Sequence, residues 1–352
     1  METVHKIFFK KSSRMNEIES DSIDLIVTSP PYPMIEMWDS LFSSLNKNIQ
    51  TALQESGFKA YNLMHTELEK VWCEVVRVVK PGGTVCINIG DTTRTINDNF
   101  QLFPNHIKIL SFFQDRDFVV LPSILWRKPT NSPNKFLGSG MLPPNAYVSL
   151  EHEHILILRK GNEKRELPPA FKPRYQSAYF WEERNKWFSD VWLDLAGVTQ
   201  KINVQNENRS KLRERSAAFP LNLPYRLINM FSIYGDTILD PFWGTGTTTI
   251  AAMLSGRSSI GYEINSEFLD NFRFELKFLK NTSKSINNKR INEHIEFINN
   301  YKKKGKTPKY NASNYGFPVI TKQETEILLY SIQDYREKEA KFTVSYKKFE
   351  IE

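Results

Sequence analysis

The stretch Asp240-Pro241-Phe242-Trp243-Gly244-Thr245-Gly246-Thr247-Thr248-Thr249 decides the fold through what flanks it. An apolar strand-like run, Thr237 to Leu239, leads into it, and helical spacing follows from Thr249 to Leu254. A second strand, Ser259 to Tyr262, comes next and ends against Glu263. Strand, glycine-rich turn, helix and strand make up the unit of a doubly wound parallel sheet, which binds ligands at the carboxyl ends of its strands. Glycines at such a turn let the backbone approach a ligand closely. Three ligand chemistries compete for it. A P-loop requires a lysine after its second glycine, and Thr247 follows Gly246. A pyrophosphate fingerprint wants a third small residue where Thr249 stands. A nucleoside cofactor without pyrophosphate fits best, because Glu263 is placed to accept hydrogen bonds from both ribose hydroxyls.

The same alternation extends along the chain. His5 to Phe9 reads as a strand, and Ile23 to Thr28 (IDLIVT) is the near-continuous apolar run of a strand covered on both faces. Leu68 to Val79 has helical spacing, Lys80-Pro81-Gly82-Gly83 is expected to end that helix, and Thr84 to Ile89 (TVCINI) reads as a strand. Residues 104–114 and Pro224 to Phe231 read as helices, and Phe118 to Trp126 and His154 to Leu158 as strands. Residues 161–216, rich in Pro, Arg, Asn and aromatics, interrupt the pattern as an irregular insertion. From Ser266 onward the chain reads as mostly helical and polar, and no internal repeat is visible.

Composition narrows the function classes. With 40% hydrophobic and 25% charged residues over 352 positions, the chain is neither disordered nor fibrous. It has no apolar run of about 18 residues, so no membrane span is expected. The opening METVHKIFFKKSSR lacks an apolar core with a small-residue cleavage site, which makes the cytoplasm the expected location. Cys73 and Cys86 are too few for a disulfide framework or a zinc ribbon. The net charge of +7 is spread unevenly: residues 270–352 carry +6 and residues 161–216 carry +3, so the remainder sums to −2. A near-neutral core with two basic attachments suits a polyanionic partner.

A second motif, Thr28-Ser29-Pro30-Pro31-Tyr32-Pro33, directly follows IDLIVT. Consecutive prolines fix φ and remove two N–H donors, which leaves carbonyls as outward acceptors. The Ser29 hydroxyl and the Pro30 carbonyl can each take one hydrogen of an exocyclic amine, freeing the nitrogen lone pair to face an electrophile. Tyr32 offers a ring on which a base turned out of a duplex can stack.

Together these motifs resemble the amino-group DNA methyltransferases that use S-adenosylmethionine. The resemblance is carried by TSPPYP at 28–33 and DPFWGTGTTT at 240–249. Supporting stretches are VWCEVVRVVKPGGTVCINIGD at 71–91, VLPSILWRKPTN at 120–131, EHEHILILRKG at 151–161 and AAFPLNLPYRLINMFSIYGDTILDPF at 217–242. The catalytic motif precedes the cofactor motif, a permuted order similar to that of the β group. The resemblance implies a Rossmann-like doubly wound α/β sheet divided into a catalytic half at 1–160, a target-recognition insertion at 161–216, a cofactor half at 217–270 and a helical basic extension at 271–352. It also implies S-adenosylmethionine as cofactor, held by Asp240, Pro241, Phe242, Gly244, Gly246, Thr247 and Glu263 with Phe219 and Pro220 near its methionine end. Ser29, Pro30, Pro31 and Tyr32 would handle the base, with Asp91 helping to shape the pocket. Double-stranded DNA is the implied partner, and a restriction endonuclease the implied functional companion. Two family features are absent: Lys11-Ser12 stands where Gly-Asp often follows the first strand, and Arg215 or Ser216 where a His often precedes AAFP.

Carbon-5 chemistry requires a cysteine in a Pro-Cys pair. Cys73 follows Trp72 and Cys86 follows Val85, so that chemistry is excluded. In the family, Ser-Pro-Pro-Tyr usually accompanies cytosine N4, and Asp or Asn in place of Ser accompanies adenine N6. Cytosine N4 is the expectation. Adenine N6, an RNA substrate and a catalytically silent DNA-binding chain are the alternatives, and a nicotinamide oxidoreductase would leave TSPPY without a role. Lys164, Arg165, Lys172, Arg174, Arg184 and Lys186, interleaved with aromatics, are the expected DNA contacts, and 301–309 (YKKKGKTPK) is a further phosphate candidate. Trp192 and Leu193 are expected to pack the insertion onto the core. Glu151, His152, Glu153 and His154 alternate along a strand, and no metal site is expected there.

Overall fold

A computed structural model describes residues 1–128, 137–195 and 219–351. The later part of the expected target-recognition insertion, with Arg215 and Ser216, lies outside the described residues. Ten of the strands form one sheet: β1 (Glu2–Phe9), β2 (Ile23–Thr28), β3 (Val79–Ile89), β6 (Phe118–Arg127), β9 (His152–Lys160), β10 (Val191–Trp192), β11 (Thr237–Asp240), β12 (Ser258–Glu263), β15 (Tyr330–Lys338) and β16 (Lys341–Lys348). Three small hairpins lie apart from it: β4 (Thr92–Ile96) with β5 (Asn99–Phe103), β7 (Leu137–Gly138) with β8 (Ala146–Tyr147), and β13 (Tyr310–Asn311) with β14 (Pro318–Val319).

The sheet order is β10-β6-β9-β3-β2-β11-β12-β1-β16-β15. From β1 through β12, β11 and β2 to β3 every pairing is parallel, and β9 is wedged antiparallel between β3 and β6. Both faces of the central strands are covered, which explains their unbroken apolar runs. On β2, Leu25 and Val27 pack with the helices Asn222–Phe231 and Thr247–Ser255, while Ile26 faces the helix Gly57–Val78. On β9, Ile155 and Ile157 take the first side and Leu156 and Leu158 the second.

The expected α/β sheet is present, and three local expectations are corrected. The helix before TVCINI begins at Gly57, capped by the Ser56 hydroxyl, rather than near Leu68. The Lys80-Pro81-Gly82-Gly83 stretch belongs to β3, which starts immediately at Val79 and is irregularly paired opposite Ile23 and Leu25. The extension is helical only through Phe268–Leu276 and Leu279–Lys303; after that, the β15–β16 hairpin adds two strands to the main sheet through β1. Phe342 and Val344 of β16 are wholly buried, so the hairpin belongs to the core. Trp192 packs inside as expected, whereas Leu193 is exposed.

The insertion and the extension are joined by their own small core of Phe180, Ile291, Ala312, Val319, Ile327, Leu329 and Phe349. At its rim the Arg290 guanidinium donates to both oxygens of Glu183 at 2.6 and 2.8 Å, with both side chains nearly enclosed. The same carboxylate accepts the Phe180 amide, which starts the helix Trp181–Trp187. Glu183→Ala leaves Arg290 buried without a counter-charge and is expected to cost about 3–5 kcal/mol in urea unfolding, whereas the apolar pair Glu183→Leu with Arg290→Met should recover most of that loss.

Candidate active site

The strands β11 and β2 are parallel neighbours, but the chain leaves them toward opposite ends of the sheet. The crevice at their carboxyl ends is therefore the topological switch point, where open α/β sheets bind ligands. Both sequence motifs start there. Thr28, the last residue of β2, donates its hydroxyl to Asp240 Oδ1 at 2.6 Å, and Asp240 is the last residue of β11. The Phe242 amide donates to the same oxygen at 3.1 Å, and the Thr248 hydroxyl reaches back to the Val27 carbonyl at 3.3 Å. Burial raises the Asp240 carboxyl to about 6; the hydrogen bonds from Thr28 and the Phe242 amide oppose the shift, and the Glu263 charge adds to it.

The two glycines of the loop serve different ends. Gly246 takes the left-handed conformation at the start of the helix Thr247–Ser255, and a Cβ there would lie 2.5 Å from the Phe272 ring. Packing and backbone conformation both demand glycine. Gly244 is also left-handed, with φ of 52°, but a Cβ there would meet only the Phe242 carbonyl at 3.9 Å. Its backbone therefore borders open space. Trp243 anchors the loop beneath: its amide donates to the Tyr262 carbonyl, its indole N–H to Thr249 Oγ1, and its ring covers Gly261. Glu263 accepts the Gly244 amide at 2.8 Å and the Ile264 and Asn265 amides at 2.9 Å. Burial raises its carboxyl and these amides lower it, so the side chain is held in one place with a lone pair of Oε2 to spare. Pro241 is buried, Phe242 packs against Trp72, and the Thr247 hydroxyl meets that of Thr245. Phe219 and Pro220 open the helix Asn222–Phe231, whose other end leads through Asp236 to the start of β11, so they too reach the carboxyl edge.

Across the crevice, Ser29 is half-buried and Pro30 buried, with Pro31 and Tyr32 partly exposed. The Ser29 hydroxyl donates to Tyr32 Oη at 3.2 Å, and Tyr32 Oη donates to Glu153 Oε2 at 2.8 Å. Asn88 Nδ2 donates to both, at 2.8 and 2.7 Å. Enclosure of the phenol and the nearby Glu153 charge hold the Tyr32 pKa well above its ordinary value. The Pro33 carbonyl accepts from Thr92 and Asn105, which braces the turn. Gly90 lies against the Tyr32 ring, where a Cβ would come within 3.0 Å.

Asn88 and Glu153 were not among the expected site residues. Their signal was polarity out of place, an asparagine inside TVCINI and a glutamate leading into ILIL. Asp91, expected to help shape the pocket, holds His106 Nδ1 at 2.8 Å and the His106 amide at 3.2 Å with its carboxylate, capping the helix Asn105–Gln114. His154 stacks on His106 with ring centroids 3.9 Å apart, and its Nε2 lies 3.8 Å from Asp91. Their ligand-type atoms all fall within 4.8 Å, but the near-parallel rings set the nitrogen lone pairs side by side rather than converging.

Four of the six expected DNA contacts lie toward the amino edge of the sheet, opposite this crevice. Arg165 forks onto Asp236 at 2.7 and 2.8 Å, beside Asp24, at the amino edge of the sheet, and Lys164 precedes it against Gly82. The helix Lys172–Gln176, with Lys172 and Arg174, is also fixed near that edge, where the following Ser177 hydroxyl accepts the Tyr234 amide. Arg184 lies over the Phe188 ring and Lys186 pairs with Asp194 at 3.0 Å, both exposed. In the 301–309 stretch, Tyr301 to Lys303 end a helix and the rest is exposed loop for the most part. No described helix is long and apolar enough to cross a membrane.

Comparison with known proteins agrees with this geometry. The N6/N4 methyltransferase family model, described as DNA methylase, matches residues 23–274. The type II methyltransferase M.MthZI of Methanothermobacter thermautotrophicus is 55% identical over 339 residues, covering 96% of this chain and 93% of that protein. M.MjaI of Methanocaldococcus jannaschii, also a type II methyltransferase, is 50% identical over 315 residues, covering 84% of this chain and 97% of its own length. Among solved structures, a protein of Thermus thermophilus described as a putative DNA modification methylase, complexed with S-adenosyl-L-methionine, superposes with a TM-score of 0.60 at 28% identity, over 78% of this chain and 95% of that one. By the family model and by both relatives, the chain belongs to the N6/N4 DNA methylase family.

Proposed function

We propose that this chain transfers a methyl group from S-adenosylmethionine to the exocyclic N4 amine of a cytosine turned out of double-stranded DNA. We further propose that it acts as the modification enzyme of a type II restriction–modification system, as the type II methyltransferases M.MthZI and M.MjaI suggest. The observation that carries the reading is the Thr28–Asp240 hydrogen bond, which sets the amine-accepting segment and the cofactor loop side by side. The permuted motif order supports a β-group arrangement, with target recognition carried by the chain between the two halves.

The described residues fit the cofactor. Glu263 is fixed with room to receive a ribose hydroxyl, Gly244 leaves its backbone open to close approach, and Asp240 supplies a buried negative charge for a cationic ligand. The bound cofactor supplies a methyl group made electrophilic by its sulfonium. Ser29 Oγ and the Pro30 carbonyl accept the two amine hydrogens and aim the nitrogen lone pair, and Tyr32 stacks on the base. Catalysis on this account is mostly orientation, with no covalent enzyme intermediate.

Incubation with labelled S-adenosylmethionine and DNA, followed by digestion to nucleosides, is expected to yield N4-methylcytosine. Label only in N6-methyladenine would overturn the N4 assignment, and label in no DNA would overturn the reaction. Ser29→Ala should lower kcat about 100-fold while cofactor affinity stays within about twofold.

Asp240 also predicts a pH dependence. Its raised carboxyl favours the neutral form in the fold, so that contribution to stability is complete below about 4 and lost as pH rises through about 6. Above that point Asp240→Asn removes a buried charge yet keeps an acceptor for Thr28. It should stabilise the cofactor-free protein in urea unfolding by on the order of 2–3 kcal/mol, with the gain vanishing in acid. Cofactor affinity, followed by equilibrium dialysis, should weaken in the native chain as pH falls through about 6 and be low at every pH in the variant.

A further inference from the structure

The acceptor on Ser29 works only if its own proton points away from the amine, and the structure contains a device that sets this direction. Four side chains form one hydrogen-bonded chain. Ser29 Oγ, Tyr32 Oη and Glu153 Oε2 follow one another at 3.2 and 2.8 Å, with Asn88 Nδ2 bridging the last two. Lys128 Nζ closes it from outside, 3.0 Å from Glu153 Oε1. An ionised carboxylate only accepts, and an amide N–H or an ammonium only donates. The Tyr32 proton is therefore committed to Glu153. Tyr32 Oη, having donated its one proton, must accept in its other contacts, from the Asn88 amide and from the Ser29 hydroxyl. The serine proton is thus turned inward and its lone pairs are left for an external donor. Lys128 balances the carboxylate charge from its exposed side, and Asn88 is wholly buried in an otherwise apolar strand segment, a costly placement for a packing role alone.

We infer that Glu153 is a positioning residue for the amine acceptor, acting through Tyr32 to hold the Ser29 hydroxyl in its accepting orientation. This rests on the proposed reading that Ser29 faces the target amine. Glu153→Met is close in size but removes the acceptor, which frees the Tyr32 proton. Tyr32 then donates to Ser29, whose proton swings toward an amine that also donates. Glu153→Gln, by contrast, keeps an oxygen facing Tyr32 and Asn88, because an NH2 group there would meet the Asn88 amide donor.

The test is steady-state DNA methylation by the full chain, with S-adenosylmethionine affinity measured separately for each variant. E153M is expected to lower kcat about 30-fold with KM for DNA within about twofold, and E153Q, which keeps the acceptor oxygen, to recover most of the loss. Tyr32→Phe also cuts the chain, so Y32F/E153M should be no slower than Y32F by more than about threefold. A kcat for E153M within about twofold of the native value, or effects that multiply in the double variant, would overturn the assignment. Loss of cofactor binding in E153M would overturn it too, by showing a structural role. A native chain that methylates no DNA would instead remove the functional reading beneath it, an outcome distinct from an active native chain indifferent to E153M.

Discussion

The contact on which the site depends is the 2.6 Å hydrogen bond from Thr28 to Asp240. It joins the last residues of two strands that are adjacent in the sheet but far apart along the chain. Any shift of register between β2 and β11 would break it and slide one motif past the other. Register there is held by paired apolar residues whose side chains alternate between two filled layers, so a one-residue slip would turn each of them to the wrong side. The geometry of the crevice is thus set by ordinary core packing on either side of the sheet. The polar residues add the last constraint, a buried carboxyl held by the Thr28 hydroxyl and the Phe242 amide.

Much of this was legible in the chain itself. IDLIVT is bounded as expected, and the strand before Asp240 and the one ending at Glu263 each fall within a residue of their expected limits. Apolar runs flanked by glycine turns have few structural alternatives. The hairpin Thr92–Ile96 with Asn99–Phe103 escaped notice although Asn97 and Asp98, both with positive φ, form a turn that the pair Asn-Asp favours. The extension was misread for a different reason. Its strands alternate charged and apolar residues weakly, and the partner that makes them strands, β1, lies at the other end of the chain. Asn88 and Glu153 were missed because their roles exist only between strands: β3 and β9 bring them together through antiparallel pairing that no local pattern encodes.

Charge along the chain translated least well into charge around the site. Basic residues do concentrate in two segments, but a run of sequence says little about which edge of a sheet it reaches. Arg165 is spent on Asp236, and Arg290 on Glu183, so part of the surplus in both basic segments fastens the molecule together. The insertion and the extension share one small core, and the extension's β15–β16 hairpin is itself part of the sheet.

The two outermost strands of the sheet differ from the rest. On one side β15 runs Tyr330-Ser331-Ile332-Gln333-Asp334-Tyr335-Arg336-Glu337-Lys338, mostly exposed and carrying both signs of charge, with an irregular pairing between Ile332 and Asp334. On the other, β10 is two residues long. A ten-strand sheet with apolar strands at its centre would recruit further strands from any neighbour if its margins were long and plain. At the β15 margin the charges and the kink oppose such recruitment, whereas β10 covers only Leu125 and Trp126 of the ten-residue β6, so protection from edge-to-edge pairing is built into one side of the sheet.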